Sequence, residues 1–186
     1  MKSGLLLATT LMTTMGCTDH FIDPDSSQLV GISTSVVFVQ STWQPFTSPT
    51  GLFWVQLPGE PNSEILLKEI EEEVVKVHQI SFINETGVYA VLYGDLPSSY
   101  TETTDENTIL DEMGAWILAE KQLEDLAELE QPITLKNQPG REFAVSNENG
   151  ALIVRVYLVN QRIYFLLTAS EKVNDVNQFL RSFQFL

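Results

Sequence analysis

The chain of 186 residues has one cysteine and two histidines, and only 10 basic side chains stand against 25 acidic ones. Each shortage excludes something. With Cys17 alone, no intrachain disulfide can form, so a folded domain of this length must rely on its core. His20 and His78 leave little material for imidazole acid–base chemistry. A net charge of −15 argues against nucleic acid and anionic lipid surfaces, whose recognition needs basic patches. No apolar run reaches the ~20 residues that a spanning helix requires. The serines come without a G-x-S-x-G elbow or a paired base. No catalytic, metal-binding or cofactor motif stands out, and no cofactor is expected.

What is present starts with a leader. Met1–Met15 carries one charge, Lys2, then an uncharged stretch rich in Leu, Thr and Met that ends at Gly16-Cys17. This fits a secretory signal rather than a membrane span. Thr14-Met15-Gly16-Cys17 resembles the lipobox of bacterial lipoproteins, which implies lipidation of Cys17, the first mature residue, and anchoring to a lipid bilayer. An ordinary signal peptide, or a buried free thiol, is the other reading. Residues 1–16 are therefore assigned to the signal and 17–42 to a tether, whose early part carries Asp19, Asp23, Pro24 and Asp25 with little apolar periodicity. The protein is expected outside the cytoplasm, in a periplasmic or lumenal space.

Residues 43–186 read as one domain. Pro139–Ala169 is its most strongly patterned stretch, three Val-, Ile-, Leu-, Phe- and Tyr-rich runs separated by Asn147-Glu148-Asn149-Gly150 and by Asn160-Gln161. That spacing predicts two tight hairpins and an antiparallel meander. Period-two alternation gives one wholly apolar face, with Phe143, Val154, Val156, Leu158, Ile163, Phe165 and Leu167 among its members. The other is mixed, with Glu142, Arg155, Tyr157, Arg162 and Tyr164. With Asn149-Gly150 at the centre of the first turn, Glu142 and Arg155 are diagonal neighbours; a four-residue loop places them directly opposite.

Earlier in the chain, Trp43–Phe46, Leu52–Leu57, Ile65–Ile70, Val74–Ile83 and Val88–Tyr93 read as further strands. A helix is expected from about Asp105 to Leu123, with Gly114 inside it marking close packing, and another from Lys172 to Phe183. Pro132 suits a sheet edge. Because Val88–Tyr93 is apolar on both sides, the sheet needs cover on both faces. The expected fold is therefore an α/β/α sandwich, an antiparallel sheet flanked by helices on both faces.

Several short motifs occur in a specific order: Trp43-x-x-Phe46, Phe53-x-Val55-x-Leu57-Pro58, Tyr89-x-Val91-x-Tyr93-x-Asp95-Leu96-Pro97, Pro139-Gly140-Arg141-Glu142-Phe143, Arg155-x-Tyr157-Leu158-Val159-x-x-Arg162-x-Tyr164 and Phe179-x-x-Ser182-Phe183. Over residues 43–186 this order resembles the PsbP-like superfamily of exported domains. The resemblance implies an antiparallel sheet between helices and a role in binding or assembly rather than catalysis.

The functional expectation is thus a non-catalytic, membrane-anchored binding or assembly module. Its candidate protein-binding residues are Arg155, Tyr157, Arg162 and Tyr164, since Tyr and Arg are common interface anchors and these are the Arg–Tyr pairs of an acidic chain. Glu142 and Arg155 are also a candidate structural pair. The rival readings are a hydrolase built on Asp95 or Glu142 and a structural lipoprotein of the envelope. The acids Glu69, Glu71, Glu72 and Glu73 alternate between faces of a strand and make a poor metal shell, so a solvated edge is expected there.

Overall fold

A computed structural model describes residues 43–70 and 72–186. The expected signal peptide and tether, with Cys17 and His20, lie outside these described residues.

Seven strands form one antiparallel sheet, in the order β3-β4-β5-β9-β8-β7-β6. They are β3 (Asn62–Ile70), β4 (Glu73–Asn84), β5 (Gly87–Asp95), β6 (Glu130–Leu135), β7 (Gln138–Asn147), β8 (Gly150–Val159) and β9 (Arg162–Ser170). A second sheet has three strands, β1 (Gln44–Ser48), β2 (Phe53–Leu57) and the terminal β10 (Gln184–Phe185), with β2 in the centre. The helices are α1 (Ser98–Thr103), α2 (Glu106–Glu120) and α3 (Val173–Ser182), with a 3-10 turn at Glu124–Leu129.

Turn chemistry sets the ladder register. Asn84 Oδ1 accepts from the N–H groups of Thr86 and Gly87 and closes the β4–β5 hairpin. Lys136 and Asn137, both at positive φ, form the two-residue β6–β7 turn. Asn160, at φ 57°, opens the β8–β9 turn, with Val159 opposite Arg162. The first meander turn differs from the expectation that centred it on Asn149-Gly150. Asn147 pairs with Gly150, so Gly150 belongs to the ladder and the loop is Glu148-Asn149. Asn147 Oδ1 accepts from Asn149 N–H, and Gly150 holds φ 133°, a conformation that favours glycine. This register puts Glu142 directly opposite Arg155.

The apolar meander face packs under α1 and α2, where Val154, Val156, Phe165, Ile109, Leu110 and Ile117 share one core. Asp105 caps α2 by accepting from the N–H groups of Asn107 and Thr108. The second core lies on the other side of the sheet, among Tyr89, Tyr157, Tyr164, Phe53, Phe179 and Phe183.

That second side overturns the α/β/α expectation. Strand outweighs helix among the described residues, and the cover there is the three-stranded sheet together with α3. The requirement read from Val88–Tyr93, apolar neighbours on both faces, is met. A sheet meets it as well as a layer of helix does, because Phe53, Val55 and Leu57 of β2 present a fully buried face. α3 contributes one stripe, Val176, Phe179 and Leu180.

Candidate functional site

The three-stranded sheet stops short of one end of the large sheet and leaves a cleft there. Arg162 begins β9 opposite Asp95, the last residue of β5, and both side chains fall on the same face. Arg162 grips the carboxylate with two bonds, Nε to Oδ1 at 2.6 Å and Nη2 to Oδ2 at 2.8 Å. Its Nη1 donates to the Thr50 carbonyl at 2.7 Å, tying the β1–β2 turn to the sheet. The guanidinium also lies 5.7 Å from the Tyr93 ring centroid, within cation–π range. The Tyr93 hydroxyl meets Thr50 Oγ1 at 2.9 Å, and Tyr164 donates to the Gly51 carbonyl at 2.9 Å. Two strands of the large sheet, β5 and β9, thereby converge on one turn of the small one.

His78 stacks on Tyr93, with ring centroids 4.8 Å apart and planes 7° from parallel. Together with Lys76, Glu73 and Val74 these groups line a cleft of about 470 Å³. The neighbouring surface is apolar. Ile65, Leu67 and Val74 are 59%, 66% and 70% exposed, and pairing with His78, Lys76 and Glu69 puts all three on the cleft side of the sheet.

The electrostatics follow from this geometry. The hydrogen bond from Arg162 holds the Asp95 carboxyl below its ordinary range, against an opposing effect of burial, with weaker help from the charges of Arg162 and His78. Arg162 is correspondingly held in its charged form, chiefly by the hydrogen bond to Asp95. Burial raises the Tyr157 and Tyr164 hydroxyls, so both stay neutral.

The four residues expected to receive a partner are divided by the fold. Tyr157 and Tyr164 are each 2% exposed, packed against Phe183 and Phe185, and belong to the second core. The reason is the cover supplied by β2, β10 and α3, which closes over the mixed meander face. Arg155 pairs across the strands with Glu142, Nε to Oε2 at 2.7 Å, and both side chains are partly exposed. Arg162 alone of the four reaches the cleft. Asp95 also lies there, as does Glu73, which accepts a bond from Ser99 Oγ. Glu142 does not line it. Among the described residues no cluster of three or more His, Cys, Asp or Glu side chains could hold a metal. None of their helices is long and apolar enough to cross a membrane.

The sequence reading missed His78, Tyr93, Lys76 and the exposed Ile65, Leu67 and Val74 as neighbours of Arg162. Their signal was faint: alternation places Tyr93 with Asp95, but only the β4–β5 register brings His78 opposite Tyr93.

No family model and no curated protein matches the chain. Among solved structures the chain is similar to cyanobacterial PsbP (CyanoP) from Synechocystis sp. PCC 6803, a solution structure, at 13% identity and a TM-score of 0.45, over 88% of this chain and 99% of that one.

Proposed function

We propose that the protein is a membrane-anchored, extracytoplasmic binding or assembly module that acts through protein contacts. Lipid on Cys17 holds it to a bilayer, and the partner docks at the uncovered end of the large sheet. The observation that carries this reading is the conjunction of Ile65, Leu67 and Val74, all more than half exposed, with the cleft of Arg162, His78 and Tyr93 on the same face. Exposed apolar side chains grouped beside polar and aromatic ones are characteristic of contact surfaces. Lys76 stands between the two halves, exposed and without an ion pair among the described residues. The partner that suits this surface presents an apolar segment with a carboxylate placed to meet Lys76.

Asp95 and Glu73 share the cleft, which is the feature a carboxylate-dependent hydrolase needs. Asp95, however, is committed to Arg162 through both oxygens and is held ionised, which unfits it as a proton donor near neutral pH. The binding reading is therefore preferred.

A photoreactive side chain introduced at Val74 tests it in cells. The expected result is a discrete adduct with another protein, absent when the same group replaces Ile83, which is equally exposed but on the opposite face of β4. Identical adduct patterns at the two positions would remove this surface from consideration. Turnover of ester or phosphodiester substrates, lost in Asp95→Asn, would establish the hydrolase instead.

A further inference from the structure

The two edges of the seven-stranded sheet are unlike. At one end β6 is six residues long, contains Pro132, and has Glu130 tied to Arg141 at 2.8 Å. Proline and charge are the usual protections of an edge against further pairing. At the other end β3 runs for nine residues without proline, and among the described residues no strand pairs with its outer side. It carries Glu64, Lys68 and Glu69, whose side chains stand on the two faces of the sheet and leave the edge backbone uncovered; Glu64 accepts from Gln79 and Lys68 Nζ meets Glu120 of α2, each at 2.5 Å. A long edge without proline or bulge is a template for another strand.

The β3 sequence suits a copy of itself. In an antiparallel pair, directly opposed residues lie on the same face, so a two-fold axis must pass through one residue position. With the axis at Leu66, the centre of Asn62–Ile70, all nine residues overlap. Ile65 then faces Leu67 of the second copy on the open side, joining two exposed apolar side chains to two more. Glu64 stands opposite Lys68 of the second copy on the helical side, a second carboxylate beside the Glu120 that this lysine already meets, and both contacts occur twice by symmetry. Moving the axis to Ile65 sets Glu64 against Leu66 and Lys68 against Asn62. Moving it to Leu67 sets Glu69 against Ile65 and Glu64 against Ile70. Of the three, the Leu66 register alone sets Glu64 against Lys68 and Ile65 against Leu67, while Ser63 and Asn62 meet Glu69 and Ile70.

We propose that β3 pairs edge to edge with β3 of a second copy, antiparallel about Leu66, to make one continuous sheet across a two-fold dimer. This does not rest on the docking reading above, although it would place two copies of the exposed apolar surface side by side. A single strand pair is a small interface beside the ~1,200–2,000 Å² of stable complexes. Association is therefore reversible, and confinement to a membrane strengthens it by raising the effective concentration.

Sedimentation equilibrium of the full chain in density-matched detergent, across a wide concentration range, reads the dimer directly. The expected result is a reversible monomer–dimer equilibrium whose dissociation constant rises about tenfold in Glu64→Lys and in Lys68→Glu, each of which sets like charges opposite one another twice. The double exchange Glu64→Lys/Lys68→Glu should restore wild-type association. Glu64→Lys leaves the Lys68–Glu120 pair in place, which separates the interface effect from damage to that contact. A monomer at every concentration, a dimer indifferent to both single exchanges, or a double exchange no better than the singles would overturn the proposal.

Discussion

Gly114→Ala pits helix propensity against packing at a position where both effects have a known size. Gly114 lies within α2, and alanine at an exposed helical site would be about 1 kcal/mol more favourable. Here the added Cβ would stand 2.7 Å from Phe143 Cζ and 3.0 Å from Cε2. Both are well inside van der Waals contact, and the ring is only 2% exposed, so it has nowhere to retreat. Overpacking of a closed core costs about 1–3 kcal/mol. The net expectation is a destabilisation of about 1 kcal/mol, or roughly 2–4 °C in melting temperature for a domain of this size. In a Phe143→Leu background the offending ring atoms are gone, and the same Gly114→Ala change should become neutral or stabilising. The coupling between the two sites should then be about 1–3 kcal/mol. Urea unfolding of the four proteins of this cycle measures it. If Gly114→Ala changes stability by the same amount with Phe143 as with Leu at that position, the close approach of helix and sheet is not what keeps this glycine.

Asp95→Asn should cost about 0.5–1 kcal/mol at neutral pH, a modest figure because the carboxylate is 59% exposed and solvent screens the pair. Arg162 lowers the folded-state pKa of Asp95, so this stabilisation is fully present above the ordinary carboxylate range and is lost as pH falls through the lower folded value. Urea midpoints measured downward from pH 7 should therefore converge for the two proteins below about pH 4; a gap that stays constant would deny the linkage. If a lipid on Cys17 is the anchor, as proposed, Cys17→Ser should release a soluble, still folded domain from membranes, because residues 43–186 carry the cores. Membrane fractionation with the variant as tightly bound as wild type would refute lipidation.

The meander illustrates how far local pattern reaches. Alternation along Pro139–Ala169 was enough to sort Val154, Val156 and Phe165 onto an apolar face, because side-chain direction in a strand is fixed by period two. The helix expected from Asp105 agrees with α2, which Asp105 caps and which runs from Glu106 to Glu120; capping and helical periodicity are also local. Pro132 pointed to an edge strand for a local reason as well, since it lacks the N–H that a central ladder position uses. The first meander turn was less legible. Whether Gly150 sits inside the turn or closes it is a matter of a single φ, and the choice changes the register by two.

The sequence by itself determined most of the strands and the two longer helices, the apolar face of the meander, and the overall excess of negative charge. It also determined that both sides of the central sheet need apolar cover. Only the tertiary structure decided what supplies that cover: β2 and β10, distant in sequence, join under α3 and bury Tyr157 and Tyr164, which had looked available to a partner. It also decided that Arg162, Asp95, His78 and Tyr93 meet at one cleft, and that the proline-free strand β3 forms the edge opposite β6. The division has a physical reason. Propensity, periodicity and capping act over a few residues, whereas burial and strand order depend on which distant segments compete for the same apolar surface.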